Sequence, residues 1–199
     1  DELLNRGQKS FMDRFWDEER GYLADVVDVD HRADTVDALF RPNQILAVGG
    51  LPLQIVTGEI AQRIVDEVET RLLTPLGLRS LAPGSPEYEP HYIGSPRQRD
   101  GAYHQGTVWP WLMGPFVEAW LTVRNHSPEA INEAQQRLIA PLLKHLAEAG
   151  LGHVSEIADA DSPFTPRGCP WQAWSLGELL RLTYGPLRVT AEHASAVVH

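Results

Sequence analysis

The chain has 199 residues, of which 43% are hydrophobic and 22% are charged, and its formal net charge is −10. This length suffices for one hydrophobic core, so we expect a single domain over residues 1–199. Its apolar stretches are too short and too interrupted to span a bilayer, which takes about 20 residues. The negative charge disfavours nucleic acid and anionic membranes as partners. The composition therefore predicts a soluble globular protein with a neutral or cationic partner.

The first residues and the cysteine content bear on location. The segment DELLNRGQKSF is charged and lacks the apolar core of a signal peptide, and it resembles the interior of a longer chain. Cys169 is the only cysteine, so no internal disulfide can form. A single free cysteine fits a reducing compartment. We therefore expect a cytoplasmic protein.

Hydrophobic periodicity predicts a series of helices separated by turns and loops. The expected helices are residues 3–16, 42–56, 59–73, 107–123, 128–149 and 171–182. The second and fourth of these are apolar on most sides, whereas the third and fifth carry charges on one face. Residues 76–100 and 150–170 are rich in proline and glycine and are expected to be long ordered loops. Loops of this length are usually functional.

The alternation of apolar and amphipathic helices predicts two layers. An apolar helix must be surrounded by protein, whereas an amphipathic helix can face water. Each expected inner helix is preceded by a similar polar segment, namely RPNQ (41–44), HQGT (104–107) and PWQ (170–172). Their glutamines are 61 and 67 residues apart, which suits a helical hairpin plus a long loop. We therefore expect an all-α toroid in which the N-termini of the inner helices converge.

Converging N-termini would bring amide, imidazole and indole groups together. Amides bind hydroxyl groups and aromatic rings stack on sugar faces, so we expect a wet, aromatic pocket for a neutral polyhydroxylated ligand. The candidate substrate-binding residues are Asn43, Gln44, Tyr103, His104, Gln105, Trp109, Trp111, Trp171 and Gln172. Helix capping explains the amides at 43 and 44 as well, and the two tryptophans that begin the fourth helix fit core packing equally well.

Neither a metal site nor a cysteine nucleophile is expected. His104 has no second His or Cys at metal-ligand spacing, and His91, thirteen residues earlier in a proline-rich loop, is a poor partner. Cys169 precedes a proline and has no evident His and Asn partners, so a packing role is the better interpretation. The sequence therefore predicts no metal and no cofactor.

Five segments resemble a known family. They are RPNQ (41–44), TPLGLRSL (74–81), YIGSPRQRDGAYHQGTVWPWLMGPF (92–116), SEIADAD (155–161) and PRGCPWQAWSLGELLR (166–181). Over about residues 3–184 the chain resembles the C-terminal amylo-α-1,6-glucosidase domain of glycogen debranching enzymes. The resemblance implies an (α/α)6 toroid that hydrolyses α-1,6 branch points of glycogen with inversion at the anomeric carbon. It also implies an α-glucan as the substrate.

Inverting hydrolysis requires a protonated carboxyl group and an ionised one, about 6.5–9.5 Å apart. The resemblance implies that Glu156, in a Ser-Glu-Ile segment, is the general base. Judged from the residues alone, an ion pair at the surface would be the commoner role. Asp159 and Asp161 could orient this carboxylate, but Asx turns before the following proline are the better interpretation.

The second carboxylate is not evident. The resembled family has its general acid in an earlier Thr-Trp-Met-Asp motif, which this chain lacks. Asp100 is available, but a structural ion pair with the adjacent Arg99 is favoured, because a neighbouring cation disfavours a protonated carboxyl group. We therefore expect the C-terminal half of a toroid, inactive alone and completed by a missing N-terminal half or by a second chain.

Two classes of function stay open. The first is the base-bearing half of a debranching α-1,6-glucosidase, with another (α/α)6 glycosidase, such as an α-glucosidase or a trehalase, as a related alternative. The second is a non-catalytic saccharide-binding or assembly module that keeps the pocket without the chemistry.

Overall fold

The computed structural model describes residues 2–188, and the structural statements below concern this range. Its α-helices are α1 Glu2–Phe15, α2 Gly58–Leu72, α3 Pro96–Ala102, α4 Met113–Thr122, α5 Pro128–Glu133, α6 Ala140–Glu148 and α7 Ala173–Tyr184. A π-helical segment, Ala134–Ile139, joins α5 to α6. Short 3₁₀ helices lie at Val29–His31, Pro42–Ala47 and Pro110–Leu112. None of these helices has the length and apolar character needed to cross a bilayer.

Amphipathic spacing produces helices where the sequence predicts them. Helices α1 and α2 match the expected segments 3–16 and 59–73 to within one residue at each end. The apolar positions of α2 recur every three or four residues, and the buried ones are Ala61, Ile64, Val65, Val68 and Leu72. Such a stripe stabilises a helix mainly through the face that it buries.

The apolar segment 42–56 is not the long inner helix that we expected. Only Pro42–Ala47 is helical, as a 3₁₀ helix. Gly49 then packs against α4 so closely that a Cβ there would lie 2.4 Å from the backbone nitrogen of Ala119. Glycine is a poor helix former, and Pro52 disfavours helical geometry at the residue before it. The chain therefore leaves the helix to make this close backbone contact.

The expectation of an all-α fold is only partly right, because short strands pair between the helices. The strands are β1 Trp16–Asp17, β2 Tyr22–Leu23, β3 Val26–Val27, β4 Val36–Asp37, β5 Leu73–Thr74, β6 Gly77–Arg79, β7 Val108–Trp109, β8 Ile157–Ala158 and β9 Pro166–Arg167. Strands β1–β2 and β3–β4 form antiparallel hairpins, and β5 to β9 form one antiparallel sheet in chain order. Buried loop backbone needs hydrogen-bond partners, and this pairing supplies them.

The five-stranded sheet brings two candidate site segments together. Val108 of β7 pairs with Ala158 of β8, two residues beyond Glu156. Strand β7 leads through Pro110–Leu112 into α4, which packs against α7. The core lies around α2 and α4, where Trp120 is fully buried. The site residues are therefore held at the ends of buried elements.

Candidate active site

Glu156 lies immediately before β8, and three donors surround its carboxylate. The Tyr103 hydroxyl donates to Oε1 at 2.6 Å, and the backbone N–H of Cys169 donates to Oε2 at 2.8 Å. The side-chain amide of Gln172 donates to Oε1 over a longer 3.5 Å. Because every partner donates, the arrangement suits an ionised carboxylate. We term Glu156 and these three partners the cradle.

The backbone around Glu156 holds the cradle in shape. The N–H of Glu156 donates to the carbonyl of Cys169 at 2.8 Å, and the N–H of Gln172 donates to the carbonyl of Val154 at 3.0 Å. Gly168 has φ +66°, a conformation that favours glycine. A Cβ at this position would lie 2.4 Å from Oε2 of Glu156. Glycine therefore leaves room for the carboxylate to reach the Cys169 amide.

Tyr103 links the cradle to a neighbouring aromatic wall. Burial, and then the hydrogen bond to Glu156, raise the pKa of the phenol, so it stays a protonated donor at neutral pH. Its ring meets Trp109 edge-on at 4.8 Å between centroids. Its backbone carbonyl accepts from the Trp109 indole at 3.2 Å and from the Thr107 hydroxyl at 2.5 Å. These bonds fix where the phenol meets Glu156.

A pocket of about 390 Å³ has Trp109 in its lining. We term it the recognition pocket, and its lining combines aromatic rings with short polar groups: Asp25, Arg41, Pro42, Asn43, Ser80, His104, Trp109, Trp111, Leu112 and Trp174. Asn43, Trp111 and Trp174 come from the first turns of three different helical segments. The first turns therefore converge, as the repeated polar segments predict.

The aromatic side of the recognition pocket is a set of contacting rings. His104 stacks on Trp109 with 5.1 Å between ring centroids and 7° between the ring planes. Trp111 stacks on Trp174 at 5.4 Å and 29°. Trp109 is only 5% exposed, whereas Trp174 is 49% exposed. Trp174 therefore offers far more free ring surface to a ligand than Trp109 does.

The polar side of the recognition pocket is organised by Arg41. Its guanidinium donates to the carbonyl of His104 at 2.7 Å and to the side-chain oxygen of Gln105 at 2.6 Å. Its Nε lies 3.4 Å from Oδ2 of Asp25, whose Oδ1 accepts from the Asn43 amide at 2.8 Å. The Asp25 carboxylate is largely buried, with 13% of its side chain exposed. A carboxylate and an amide thus stand side by side at the pocket.

Comparison with known proteins identifies the family. The family model for amylo-alpha-1,6-glucosidase matches residues 1–181 of the chain. The chain belongs to the amylo-alpha-1,6-glucosidase family. It is 29% identical over 166 residues to the glycogen debranching enzyme of Saccharomyces cerevisiae, a match that covers 74% of this chain and 11% of the yeast protein. Membership in this family makes the chain a relative of glycoside hydrolases.

Solved structures support the same architecture as the glucosidase family. Two crystal structures of the GH63 mannosylglycerate hydrolase from Thermus thermophilus superpose with TM-scores of 0.58 and 0.57, at 22% and 23% sequence identity. They cover 89% and 91% of this chain but only 36% and 37% of the hydrolase. GH63 enzymes are (α/α)6 toroids, so the likeness supports a toroidal arrangement of the helices. The chain spans little more than a third of the length of these enzymes.

The site of this glucosidase family member contains most of the predicted residues. Those at the cradle or the recognition pocket are Asn43, Tyr103, His104, Trp109, Trp111, Glu156 and Gln172. Asp25 and Trp174 were not predicted. For Trp174 a signal existed, because it stands three residues after Trp171, at helical spacing. For Asp25 the signal was weak, because several aspartates follow one another in that part of the sequence.

Three predicted binding residues lie elsewhere. Gln44 is buried, with its amide donating to the carbonyl of Arg41 and its oxygen accepting from the N–H of Leu23. Gln105 uses its side-chain oxygen to hold the same arginine. Trp171 is exposed beside His153, with 5.9 Å between the ring centroids. Their roles in ligand binding stay predictions.

The aspartates that follow Glu156 have other partners. Asp159 accepts from the guanidinium of Arg167 at 2.9 and 3.0 Å and from the N–H of Tyr92 at 2.8 Å. Asp161 accepts from the Tyr88 hydroxyl at 3.0 Å. Burial and this hydrogen bond raise the pKa of Tyr88 to about 12. These contacts tie the loops together.

The expected ion pair between Arg99 and Asp100 is not formed. Arg99 donates to the carbonyl of Gly94 at 2.6 Å, while Asp100 is exposed on α3. The two side chains leave the short helix in different directions because adjacent helical residues do not face each other. Within residues 2–188, no group of three His, Cys, Asp or Glu side chains is arranged to hold a metal ion.

Proposed function

We propose that this chain is the base-bearing half of an inverting α-1,6-glucosidase that removes the glucose at a glycogen branch point. The observation that carries the proposal is the cradle, in which Tyr103 and Cys169 hold the Glu156 carboxylate at 2.6 and 2.8 Å. Family membership supports glycoside hydrolysis, and the likeness to the yeast glycogen debranching enzyme supports the substrate. Glycogen as the substrate also accords with a cytoplasmic location.

The proposed reaction uses Glu156 as the general base. The carboxylate takes a proton from a water molecule as the water oxygen forms its bond to the anomeric carbon. The bond from that carbon to the leaving oxygen breaks at the same time, and the leaving oxygen receives a proton from the general acid. The cradle keeps the base in one orientation, so that little reorganisation is needed when the water attacks.

Recognition of the sugar is assigned to the neighbouring pocket. The exposed ring of Trp174 suits stacking on a sugar face, and the Asp25 carboxylate with the Asn43 amide suits neighbouring hydroxyl groups. Neutral hydroxyl-rich ligands match this mixture of rings and short polar groups better than anions do. No metal and no cofactor takes part in this reaction.

The general acid is assigned to helices outside this chain. Asp25 is occupied by Asn43 and Arg41, which suits a binding role, and Asp100 lies exposed on α3. We propose that further helices, in a longer chain or in a second chain, complete the toroid and supply the acid. The term complete enzyme denotes this chain together with those helices. The 199-residue chain alone should release no glucose from phosphorylase limit dextrin, and measurable release would place the acid within it.

The decisive test is Glu156→Gln in the complete enzyme. Glutamine keeps the shape but cannot take a proton, so glucose release from limit dextrin should fall about 10²–10⁴-fold with little change in substrate affinity. Asp161→Asn is the matched control, because it removes a nearby carboxylate that bonds to Tyr88 instead. Near-normal turnover by Glu156→Gln would remove this residue from the mechanism.

A second candidate is a glycosidase of the same fold with another linkage preference. The fold likeness to the GH63 mannosylglycerate hydrolase favours it. The complete enzyme should be offered α-1,6-branched dextrin, linear α-1,4-glucan, trehalose and mannosylglycerate under the same conditions. Preference for the branched dextrin supports debranching. Tight dextrin binding without turnover of any of these substrates would instead indicate a saccharide-binding module.

A further inference from the structure

A buried histidine contacts the residue that precedes Glu156. His145 is in the last turn of α6 and is 5% exposed. Its Nε2 lies 3.2 Å from the backbone nitrogen of Ser155 and 3.2 Å from the Ser155 hydroxyl. Ser155 directly precedes Glu156 in the chain. The imidazole therefore contacts the backbone one residue before the proposed base.

The contact defines the protonation state of the ring. A backbone N–H can only donate, so Nε2 must accept, and the ring hydrogen must be on Nδ1. A doubly protonated imidazole would set one N–H against another and lose this bond. Burial lowers the pKa of His145, while Glu148 acts weakly in the opposite direction, so the neutral ring prevails near neutral pH.

We propose that neutral His145 is a positioning residue for Glu156: its Nε2 accepts the Ser155 N–H and fixes the chain immediately before the carboxylate. The inference rests on the proposed role of Glu156 as the base. The next amide, that of Glu156 itself, is held by the carbonyl of Cys169 at 2.8 Å. Two successive amides are thus anchored to different elements, and loss of either bond frees the carboxylate to shift within its cradle.

The loop that carries Ser155 wraps around the histidine. The N–H of Gly150 donates to the carbonyl of His145 at 2.8 Å, and the N–H of Gly152 donates to the carbonyl of Leu146 at 2.9 Å. A Cβ on Gly150 would lie 1.7 Å from the carbonyl oxygen of His153 and 3.4 Å from Nε2 of His145. The tight turn that brings the His153 carbonyl against position 150 therefore requires glycine there.

Few charged groups face the imidazole. On its own helix, Lys144 and Glu148 pair with each other at 3.3 Å. On the loop side, His153 has its ring 5.9 Å from that of Trp171, measured between centroids. A groove of about 600 Å³ runs past the ring on the outer surface, and its other lining residues are uncharged: Pro75, Leu76, Gln136, Ala140, Pro141, Ala149, Pro163, Phe164 and Pro166. This groove gives solvent protons a route to the ring.

Two variants of the complete enzyme separate positioning from packing. His145→Gln keeps an acceptor oxygen but cannot titrate, whereas His145→Leu keeps an apolar side chain without an acceptor. We expect kcat on limit dextrin to fall at least tenfold in His145→Leu with KM within twofold, and to stay within threefold in His145→Gln. Equal kcat values for the wild type and His145→Leu, or equal losses in both variants, would overturn the proposal.

The pH profile of kcat adds a readout that loss of packing would not move. In the wild type, protonation of His145 should add to the fall of activity on the acidic side, because the charged ring loses its bond to the Ser155 N–H. His145→Gln lacks this titration, so its acidic limb should be less steep. An identical acidic limb in the two proteins would contradict the positioning role.

A measurement without turnover keeps this inference distinct from the proposed function. In the complete enzyme labelled with ¹⁵N at serine and histidine, the Ser155 amide resonance should follow the titration of the His145 imidazole. The response should disappear in His145→Gln. This result is independent of whether Glu156→Gln abolishes glucose release. A Ser155 amide that ignores the imidazole titration would show that the contact is not made and would overturn the inference.

Discussion

The cradle and the recognition pocket meet at Trp109, yet they are held together by different forces. In the cradle, donors approach the Glu156 carboxylate at 2.6 and 2.8 Å, and hydrogen bonds of this kind fix direction as well as distance. In the recognition pocket, rings stack at 5.1 and 5.4 Å and leave faces open. This contrast predicts where each substitution should act: cradle variants should lower kcat, whereas pocket variants should raise KM.

After Glu156→Gln, the largest effect expected at the cradle is that of Gly168→Ala in the complete enzyme. Alanine at φ +66° costs about 1–2 kcal/mol of stability, and its Cβ would lie 2.4 Å from Oε2 of Glu156. The carboxylate must then move, so kcat should fall about a hundredfold, measured as glucose release from limit dextrin.

Gly58→Ala is a matched control for that variant. Gly58 has the same φ of +66°, but a Cβ there meets nothing within 4 Å. The strain should lower its melting temperature as in Gly168→Ala, while kcat stays normal. An equal fall of kcat in both proteins would show that backbone strain, rather than the contact with Glu156, causes the loss.

A smaller cradle effect is expected from Tyr103→Phe. The change removes the 2.6 Å donor to Glu156 but keeps the ring against Trp109. A hydrogen bond to a charged group contributes about 1.5–3 kcal/mol, so kcat should fall roughly tenfold or more. Tyr88→Phe removes a similar bond to Asp161 at 3.0 Å and should lower stability without lowering kcat. If Tyr88→Phe lowered kcat as much as Tyr103→Phe does, the hydrogen bond to Glu156 would have no specific role in the reaction.

The recognition pocket is tested by Trp174→Ala. Loss of the exposed ring should raise KM for limit dextrin roughly twofold to twelvefold, with kcat nearly unchanged, since aromatic contacts of this kind contribute about 0.5–1.5 kcal/mol. Leu180→Ala is the control on the same helix, because Leu180 is 48% exposed against 49% for Trp174 but does not line the pocket. A fall in kcat with KM unchanged would move Trp174 from recognition to catalysis.

The same contrast explains which features the sequence could predict. Helices α1 and α2 were predictable, because burial on one side leaves a repeating pattern in the residues themselves. The five-stranded sheet was not, since strands of two or three residues are too short to show the alternation typical of a strand. The segment 42–56 is apolar enough for a helix, but the contact of Gly49 with Ala119 depends on a partner 70 residues away.

The candidate active site also contains some residues that the sequence could predict and others that it could not. The family resemblance gave Glu156 its expected role before any geometry was known, whereas Tyr103 was predicted as a sugar-binding residue and not as a partner of Glu156. The pairing of Asp25 with Asn43, and the bond from Arg41 to the carbonyl of His104, join residues 18 and 63 positions apart. His145 was not predicted, because its partner is a backbone N–H, which leaves no mark on residue identity. Long-range contacts of this kind emerge only from tertiary packing.

The smallest expected effect concerns stability as a function of pH. Burial lowers the pKa of His145 in the folded chain. At pH values between this folded-state pKa and about 6.5, the unfolded chain therefore binds more protons than the folded chain does. The stability from the neutral ring is therefore fully present above about pH 6.5 and is lost as the pH falls through the folded-state pKa. Urea unfolding of the wild type at pH 7.5 and at successively lower pH should show this loss, with a slope below about 1.4 kcal/mol per pH unit for one group.

The two histidine variants assign that slope to one residue. His145→Gln and His145→Leu cannot titrate, so both should lose less stability than the wild type between pH 7.5 and 5. At pH 7.5 His145→Leu should be the less stable of the two, because the buried N–H of Ser155 is left without an acceptor, at a cost of about 1–3 kcal/mol. If the wild type and His145→Gln lost the same amount of stability between pH 7.5 and 5, the acid sensitivity would come from groups other than His145. The cradle would then be no more sensitive to pH than the recognition pocket.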